Sequence, residues 1–440
     1  MSSSRTNTTP GPTGNRWPTT FYGITEAQPG KQWRSLYEAT WGAYRAWYLK
    51  DGDRPRPSLT TGRRMLAKHM PELVDTWEQL VDLADEDPTT ARMLTLWNPP
   101  AFLPGCSQAV LVGEAPALIR NYDYHPDLCE RVVVSSRWTG RRVLGMSDCL
   151  WGLVDGMNDA GLAVSLAYGG RPGVGEGFGI PLVVRYLLEV AETVGDVGRL
   201  LARLPVNMAY NLTIADRNAD AGTFFVAPGT RPEFFPTPVA ANHRGRTPEA
   251  PEHAQAFRSV ERQDALLSAL EARPDTESLT TRFLSPPLHN TKYEEGFGTV
   301  YTAVYRPADC VVEYVWPDSR WERTFDSPSS SHAVLLGPGL ASDSSRTLTR
   351  ALLRDDTGAV KSNEQGADVD EMAGRARDAI NALAESTDPA AFTHLLDLSQ
   401  HVGESLGLSA RKLAAAQSWA EVADYSGTSR QAAWARWSTS

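Results

Sequence analysis

One cysteine stands at the expected start of a strand, with charged residues a hairpin's length behind it. Cys106 follows Gly105, and Arg120 and Asp123 lie on the next predicted strand. A hairpin would fold that strand back beside the first. A thiol reacts as its thiolate, so an arginine nearby would favour the reactive form, and an aspartate could hold an ammonium group. These residue types at this spacing favour nucleophilic chemistry at Cys106.

The base for such a cysteine is not an obvious histidine. His125 is the nearest in sequence, but it lies beyond the strand, just before Pro126. If the Gly105–Cys106 bond were cut, Cys106 would carry a free α-amine. An amine with a pKa of about 8 suits a general base. The sequence therefore raises the hypothesis of a cysteine that supplies its own base.

The surrounding segments predict helices and sheets in layers. Residues 31–98 are predicted helical, because aromatic residues recur there at three- and four-residue spacing. From Pro104-Gly105 the chain changes to short β-rich runs, and residues 179–205 predict one long amphipathic helix. Residues 208–228 and 298–317 each predict a hairpin with a polar turn. Strands flanked by helical blocks indicate sheets packed between helical layers. The aromatic stripe consists of Trp33, Tyr37, Trp41, Tyr44 and Tyr48.

Composition changes along the chain predict five segments. They are a disordered tail (1–20), a helical N-terminal segment (21–105), a core (106–344), a linker (345–370) and a helical C-terminal segment (371–440).

The bulk properties exclude several classes of protein. The chain has 440 residues and a formal net charge of −10, which argues against broad nucleic-acid binding by the whole chain. Its four cysteines fit neither a zinc site nor a dense disulfide framework. The N-terminus has no apolar core typical of a signal peptide, and no apolar run is long enough to span a bilayer. We expect a reduced, cytoplasmic protein with no membrane partner.

Five short motifs occur in a fixed order: GCS, RNYD, DGMNDAGLAV, NLTIAD and ANH. In this order they resemble the N-terminal nucleophile (Ntn) hydrolases. The resemblance covers roughly residues 30–340 and is closest to the acyl-coenzyme A:6-aminopenicillanic acid acyltransferases. Choloylglycine hydrolases and penicillin V acylases are similar as more distant relatives. It implies an α+β fold, a four-layer αββα sandwich with two antiparallel sheets between helical layers.

The resemblance also implies roles for individual residues. Cys106 matches the nucleophile and, through its α-amine, the base, while Arg120 matches the arginine beside the thiol. Asp123 matches the aspartate that holds the α-amine. The backbone N–H of Tyr168 and the side-chain amide of Asn242 match the two donors of the oxyanion hole. Such donors typically stabilise the developing charge by roughly 3–4 kcal/mol each.

The implied activity is self-cleavage followed by acyl chemistry. The chain would cut itself between Gly105 and Cys106, and its two pieces would stay together. Cys106 would then form a thioester with a small acyl amide or with acyl-coenzyme A, and water or an amine would take the acyl group. No metal and no organic cofactor is implied, and an oligomer is compatible with the sequence.

The sequence departs from the family pattern in two places. Many relatives have threonine where this chain has Ser107. The late arginine of the bile-salt branch has no clear match, although Arg306 is near. This second departure argues against a bile-salt-like substrate more than against the nucleophile.

Structural interpretations compete with the functional ones. Arg120 and Asp123 could form only an ion pair on a strand. Asn158 can serve a turn, because asparagine tolerates left-handed backbone. Asn242 could be a loop asparagine, and His243 is more typical of a structural histidine.

The C-terminal segment carries a separate pattern, which resembles a helix-turn-helix. Ala423 and Gly427 are spaced as the small residues of such a turn, and Thr428 or Ser429 could cap its second helix. The side chains expected in its small core are Trp419, Val422 and Ala433, and those expected to face DNA are Arg430, Gln431 and Arg436.

Two classes of function therefore stay open for the chain. The first is the self-processing enzyme. The second is a DNA-binding regulator whose Ntn-like domain senses an acyl amide, and one chain could do both. A third interpretation, confined to the tail, is a helical hairpin that packs on the enzyme or on a second subunit.

Overall fold

The computed structural model describes residues 17–113, 115–293, 297–337, 409–410, 412–415 and 418–426. By compactness the chain divides into two units. One comprises Met1–Gly339 with Ala423–Ala432, and the other Leu340–Val422 with Ala433–Ser440.

The described part of the first unit contains the sheets. In chain order the strands are β1 (Trp17–Thr25), β2 (Gly105–Leu111), β3 (Ala117–Tyr124), β4 (Val132–Ser136), β5 (Val143–Asp148), β6 (Gly152–Asn158), β7 (Leu162–Tyr168), β8 (Tyr210–Asp216), β9 (Ala221–Val226), β10 (Glu233–Phe235), β11 (Val239–Ala240), β12 (Thr291–Lys292), β13 (Phe297–Arg306), β14 (Val311–Trp316), β15 (Ser319–Thr324) and β16 (Ser330–Leu336).

Nine strands form the first sheet, in the spatial order β10-β9-β8-β7-β6-β5-β4-β1-β16. Seven form the second, in the order β11-β2-β3-β13-β14-β15, with β12 paired to β13.

Helices flank both sheets. They are α1 (Lys31–Tyr48), α2 (Leu59–His69), α3 (Val74–Leu83), α4 (Pro88–Leu94), α5 (Ile180–Val190), α6 (Val194–Leu201), α7 (Pro251–Ala256), α8 (Ser259–Glu271) and α9 (Thr276–Phe283).

The two sheets pack face to face between two helical layers. Strands β2 and β3 contact β7 and β8 across the sheet interface. Helices α5 and α6 cover the outer face of the first sheet, and α8 and α9 cover that of the second. The predicted α+β, αββα architecture is therefore confirmed. The core under α8 and α9 consists of Ala109, Ile119, Val239, Leu266, Leu279, Phe283, Leu288, Val304 and Val315.

The N-terminal aromatic stripe lies on one face of α1, as its spacing predicts. Trp33, Tyr37, Tyr44 and Tyr48 are buried, and Trp41 is partly exposed. Trp33 stacks on Tyr37 and Tyr37 on Trp41, each pair with ring centroids 5.6 Å apart. The stripe packs the small N-terminal segment onto the sheets, where the Trp33 indole donates to the carbonyl of Leu150 at 2.9 Å.

The chain's first described element corrects a prediction. Residues 17–20 were expected in a disordered tail, but they begin β1, which runs parallel to β4 and antiparallel to β16. Alternate residues Thr19, Phe21 and Gly23 are buried, which is strand periodicity. Pro18 and two threonines mask this pattern in the sequence. The N-terminal segment therefore opens with a strand of the nine-stranded sheet, between β4 and the edge strand β16.

The long helix predicted over residues 179–205 is also wrong, since the chain forms two helices there. Thr193 ends the connection between α5 and α6 and caps α6: its hydroxyl accepts from the N–H of Asp196 at 3.2 Å. The Asp196 carboxylate accepts from the N–H of Thr193 at 3.0 Å. This reciprocal pair marks the start of a helix. The hydrophobic periodicity alone does not show the break between α5 and α6, because both helices are amphipathic.

The predicted hairpins are present. Strands β8 and β9 pair antiparallel, as do β13 and β14. Strands β2 and β3 form the hairpin expected around the cysteine.

Part of the C-terminal segment is also described. A helix, α10, spans Trp419–Ser426, and the Ser418 hydroxyl accepts from the N–H of Glu421 at 3.2 Å. Trp419 and Val422 are buried. The linker at 345–370 and the residues Gly427, Ala433, Arg430, Gln431 and Arg436 lie outside the described residues. In the described part of the chain, no helix is both long and apolar enough to cross a membrane.

Candidate active site

The β2–β3 hairpin sets the position of the candidate nucleophile. Gly105 is paired with Asp123, and Cys106 with Tyr122. Cys106 is fully buried in the interface between the two sheets. The Gly105–Cys106 peptide thus lies within a buried strand, directly opposite the residues that the sequence assigns to the site.

Arg120 reaches the thiol from the neighbouring strand. Its Nη2 lies 2.8 Å from the Sγ of Cys106. Its Nη1 donates to Asp155 Oδ2 at 2.7 Å and to the carbonyl of Val154 at 2.8 Å. The guanidinium carbon lies 4.9 Å from the ring centroid of Tyr122. Arg120 is therefore fixed on several sides and directed at the sulfur.

The thiol is held in its neutral form. Burial raises the pKa of the Cys106 thiol to about 11, the cation of Arg120 works against this rise, and the carboxylate of Asp123 adds to it. At neutral pH the sulfur therefore carries its proton, and a base must remove it before the sulfur can attack a carbonyl.

Asn242 joins the nucleophile to the end of β7. Its Oδ1 accepts from the backbone N–H of Cys106 at 3.0 Å. Its Nδ2 donates to the carbonyl of Tyr168 at 3.1 Å and to that of Pro104 at 3.3 Å. The structure thus brings together Cys106, Tyr168 and Asn242. That the backbone N–H of Tyr168 donates to the oxyanion remains a prediction.

Arg262 is a site residue that the sequence analysis missed. Its Nη1 lies 2.8 Å from Asp123 Oδ2, and its Nη2 lies 2.6 Å from Asn242 Oδ1. Its Nε donates to the carbonyl of Phe257 at 2.9 Å. Because a guanidinium only donates, Asn242 must turn its oxygen toward Arg262. This contact leaves the Nδ2 of Asn242 directed at the other side of the site.

Asp123 is the second partner of Arg262. It is buried, and its Oδ1 accepts from the Thr299 hydroxyl at 2.7 Å. Burial raises the pKa of Asp123, while the cation of Arg262 and the Thr299 hydrogen bond oppose this rise. The carboxylate is therefore kept beside the cleavage site by a cation that sequence spacing did not reveal.

One signal in the sequence could have found Arg262. The buried side of α8 consists of Ser259, Arg262, Gln263 and Leu266, at spacings that place them on one helical face. An arginine on the buried face of an amphipathic helix needs an anionic or carbonyl partner. Such a position indicates a site or an ion pair, although it does not name the partner.

Two residues with structural interpretations have structural contacts. Asn158 Nδ2 donates to the carbonyls of Leu188 and Ala191 at 2.9 and 2.8 Å, so it ties β6 to the end of α5. His243 Nδ1 lies 2.6 Å from the Ser259 hydroxyl, and its Nε2 lies 3.1 Å from Gln263 Oε1. His243 therefore anchors the Asn242 segment to α8.

Arg306 is placed at the end of β13 and is partly exposed. Its Nη2 lies 3.9 Å from Glu313 and 3.8 Å from Glu322. These contacts make it part of a surface ion-pair group. The second arginine that contacts the site residues, besides Arg120, is Arg262.

A group of ion pairs, here the arginine–glutamate clamp, connects the loop after β7 with the loop that carries Asn242. Arg171 binds Glu249 with two hydrogen bonds of 2.7 and 2.9 Å. Arg244 binds Glu249 at 2.6 Å and Glu233 at 3.0 Å. The hydrogen bonds from Arg171 and Arg244 lower the pKa of Glu249 to about 2. The clamp thus joins the two segments that contain Tyr168 and Asn242.

Comparison with known proteins bears on the region around this site. The profile of the acyl-coenzyme A:6-aminopenicillanic acid acyl-transferase family matches residues 111–321. This stretch contains Arg120, Asp123, Tyr168 and Asn242, and it starts after Cys106. A search of curated proteins found no match.

Three solved structures are similar at low identity. A mutant of the conjugated bile acid hydrolase from Clostridium perfringens is 12% identical, with a TM-score of 0.37, over 55% of this chain and 99% of that chain. A Caenorhabditis elegans N-acylethanolamine-hydrolyzing acid amidase ortholog is 15% identical, with a TM-score of 0.36, over 46% and 93%. The penicillin V acylase from Agrobacterium tumefaciens is 15% identical, with a TM-score of 0.34, over 48% and 82%.

Structural similarity at such low identity and TM-score says nothing about the activity of this chain. The family match does bear on it, because it spans both sheets and four of the five residues assigned to the site. Residues 111–321 are therefore similar to the acyl-coenzyme A:6-aminopenicillanic acid acyl-transferase family.

Proposed function

We propose that the protein is a self-processing Ntn hydrolase or acyltransferase with Cys106 as its nucleophile. One observation carries the proposal. The Sγ of Cys106 lies 2.8 Å from Arg120, while its backbone N–H lies 3.0 Å from Asn242 Oδ1. The reacting sulfur and the amide that would be cut are therefore each held by a buried polar side chain.

The cut is an N-to-S acyl shift followed by hydrolysis. The Cys106 sulfur adds to the Gly105 carbonyl carbon, the C–N bond breaks, and the thiol proton passes to the departing amine. Water then cleaves the resulting thioester. The products are a Gly105 carboxylate, a free Cys106 thiol and the α-amine.

Turnover uses the released amine. The amine takes the thiol proton, and the sulfur attacks the carbonyl of an acyl amide or an acyl thioester. Donors at Asn242 Nδ2 and the Tyr168 N–H bind the oxyanion, and Asp123 holds the α-amine in place. The protonated amine then gives its proton to the leaving group, and water or an amine accepts the acyl group from the thioester.

The substrate class follows from this chemistry. We propose a small acyl amide or acyl-coenzyme A, handled in the cytoplasm without an organic cofactor. Among the described residues there is no group of three or more His, Cys, Asp or Glu arranged to hold a metal ion. The cleaved N-terminal piece would remain part of the enzyme.

Intact-mass analysis tests the proposal. The wild-type chain should separate under denaturing conditions into residues 1–105 and 106–440, and the Cys106→Ala chain should stay whole. Cys310→Ala is the matched control. It removes a partly exposed thiol between β13 and β14, and this variant should be cut normally. An active wild-type enzyme that stays uncut after long incubation would refute the free-amine mechanism.

A DNA-binding tail is a second candidate function. The observation that favours it is α10, a capped helix at the position of the first helix of the proposed helix-turn-helix. In this proposal Arg430, Gln431 and Arg436 contact DNA, and the acyl-binding domain acts as a sensor. The two functions are compatible in one chain.

A further inference from the structure

Asp155 contacts the Nη1 of Arg120, whereas the thiol of Cys106 contacts the Nη2. Asp155 sits on β6 and is fully buried. Its Oδ2 accepts from Arg120 Nη1 at 2.7 Å and from the Tyr301 hydroxyl at 2.6 Å. Its Oδ1 accepts from the hydroxyl of Tyr305. The carboxylate thus comes from one sheet, and its three donors come from the other.

The buried charges around Cys106 cancel in pairs. Arg120 is paired with Asp155, and Arg262 is paired with Asp123. All four side chains are almost fully buried. In such a place an unpaired charge is strongly unfavourable. A thiolate would therefore add a negative charge for which no cation is left.

The phenols near Cys106 are uncharged. Tyr122, Tyr210 and Tyr301 are buried phenols, and burial raises the pKa of each well above its usual value. Asn242 carries no charge, and burial lowers the pKa of its neighbour His243. The charge on the sulfur is thus decided by the two arginines and the two aspartates.

We propose that Asp155 is a positioning residue that neutralises Arg120 and so keeps Cys106 as a thiol until a base takes its proton. Arg120 is the cation closest to the sulfur, and without Asp155 it would recruit the thiolate as its counter-charge. The buried nucleophile would then ionise at a lower pH and be more open to alkylation and oxidation. The inference rests on the proposed function only in taking Cys106 as the reacting group.

The test is a titration of the Cys106 thiolate by its ultraviolet absorbance, with the matching Cys106→Ser protein subtracted. The Asp155→Asn protein should ionise Cys106 at a pH at least one unit lower than wild type. This shift corresponds to about tenfold more thiolate at neutral pH. An unchanged or raised midpoint would overturn the proposal.

Two variants separate charge from packing. Asp155→Glu keeps the charge and should titrate close to wild type. Tyr314→Phe removes a hydroxyl that binds Tyr305, 3.0 Å away, rather than Asp155. It should also leave the midpoint in place. A shift as large in Tyr314→Phe as in Asp155→Asn would show that loosened packing, and not charge, controls the thiol.

Cleavage and folding are controlled separately. Intact mass records the cleavage state, and an uncut variant is compared with freshly made uncut wild-type chain. If Asp155→Asn is unfolded at neutral pH, its stability is measured in a stabilising osmolyte. Wild-type stability should fall toward alkaline pH, because the pKa of the folded thiol is about 11 and that of the unfolded thiol is about 8.5, and this fall should be smaller in Asp155→Asn. Adding Cys106→Ser to both proteins should remove this difference, and a difference of equal size without the thiol would overturn the proposal.

Failure of the proposed function would look different. If Cys106 of the wild-type protein never acquires an acyl group, the proposed enzymatic function is refuted. The shift in the thiol titration of Asp155→Asn would still show that Asp155 neutralises Arg120. An acylated Cys106 with an unshifted titration would leave the enzyme in place and remove only the role of Asp155.

Discussion

At the scale of single residues, Arg262 connects two of the residues assigned to the site. It bridges Asp123 and Asn242, the two residues proposed to hold the amine and the oxyanion. Arg262→Ala should cost about 3–5 kcal/mol of stability, because it leaves the buried Asp123 carboxylate unpaired. Chemical denaturation measures this loss. Arg258→Ala is a control at the residue that precedes this helix, since its ion pair with Glu261 is exposed and contributes about 0–1 kcal/mol.

The pH dependence of this defect follows from Asp123. Burial already raises its pKa, and losing Arg262 should raise it further. The folded variant would then bind a proton more tightly than the unfolded chain does, so acid should favour its folded state. Its defect relative to wild type should be largest at neutral pH and shrink as the pH falls below the raised pKa of Asp123. A defect that stays constant with pH would mean that Arg262 contributes packing and not charge.

Asn242 gives the corresponding prediction for turnover. If its Nδ2 stabilises the oxyanion, Asn242→Ala should lower kcat by roughly 10²–10³. Steady-state kinetics on fully cut protein measures this. His243→Asn changes the neighbouring anchor to α8 and serves as the comparison, since it should act on stability more than on kcat. Wild-type turnover in Asn242→Ala would remove this residue from the oxyanion hole.

At the scale of elements, the arginine–glutamate clamp should set how firmly two loops are joined. Glu249→Gln removes the charge that binds Arg171 and Arg244 and should lower stability by up to about 1 kcal/mol, since these pairs are partly exposed. The pKa of Glu249 is depressed to about 2, so its contribution is present above the usual carboxyl pKa of about 4 and is lost as the pH falls toward 2.

Thermal unfolding at several pH values and salt concentrations measures the clamp. The gap between wild type and Glu249→Gln should close at low pH and narrow at high salt. Glu261→Gln is a matched control, because Glu261 forms an exposed ion pair with Arg258, three residues earlier and outside the two loops. Limited proteolysis should cut the loops of Glu249→Gln faster than those of Glu261→Gln. Equal rates would show that the clamp does not hold the loops.

What the sequence could predict at this scale depends on whether the signal is local. The β2–β3 hairpin is local, so residue spacing alone predicted that Arg120 and Asp123 lie beside Cys106. Arg262 and Asp155 approach the site from a distant helix and from the other sheet, and no spacing rule connects them to Cys106. Strand β1 was missed for a similar reason, because its partners β4 and β16 are remote in sequence. The break before α6 is local, and the capping pair Thr193–Asp196 marks it in the sequence.

At the scale of the whole molecule, the position of β1 bears on processing. This strand lies between β4 and β16 in the nine-stranded sheet, so the piece 1–105 would keep a full set of strand hydrogen bonds after a cut. The two pieces should co-elute on gel filtration and separate only in denaturant. Separation in plain buffer, with loss of activity, would show that the N-terminal piece is not part of the mature enzyme.

The tail gives the last prediction, which separates the enzyme from the regulator. Every residue proposed for acyl chemistry lies before residue 345, whereas Arg430, Gln431 and Arg436 lie after it. If the tail binds DNA, a promoter fragment from the protein's own locus should shift in a gel. Its affinity should fall steeply as salt rises, because phosphate contacts release counterions. Arg430→Ala should weaken binding by roughly 1–3 kcal/mol if it contacts a guanine edge.

Truncation after residue 345 should then abolish the gel shift and leave both self-cleavage and acyl chemistry intact. Lys412→Ala is a matched control for lost positive charge, since this residue lies in the C-terminal segment but outside the proposed helix-turn-helix. It should reduce binding much less than Arg430→Ala. If truncation instead destroys folding or activity, and the full chain retains no DNA even at low salt, the tail is a structural part of the enzyme. The regulator hypothesis then has no remaining support, because the acyl site by itself is explained by catalysis.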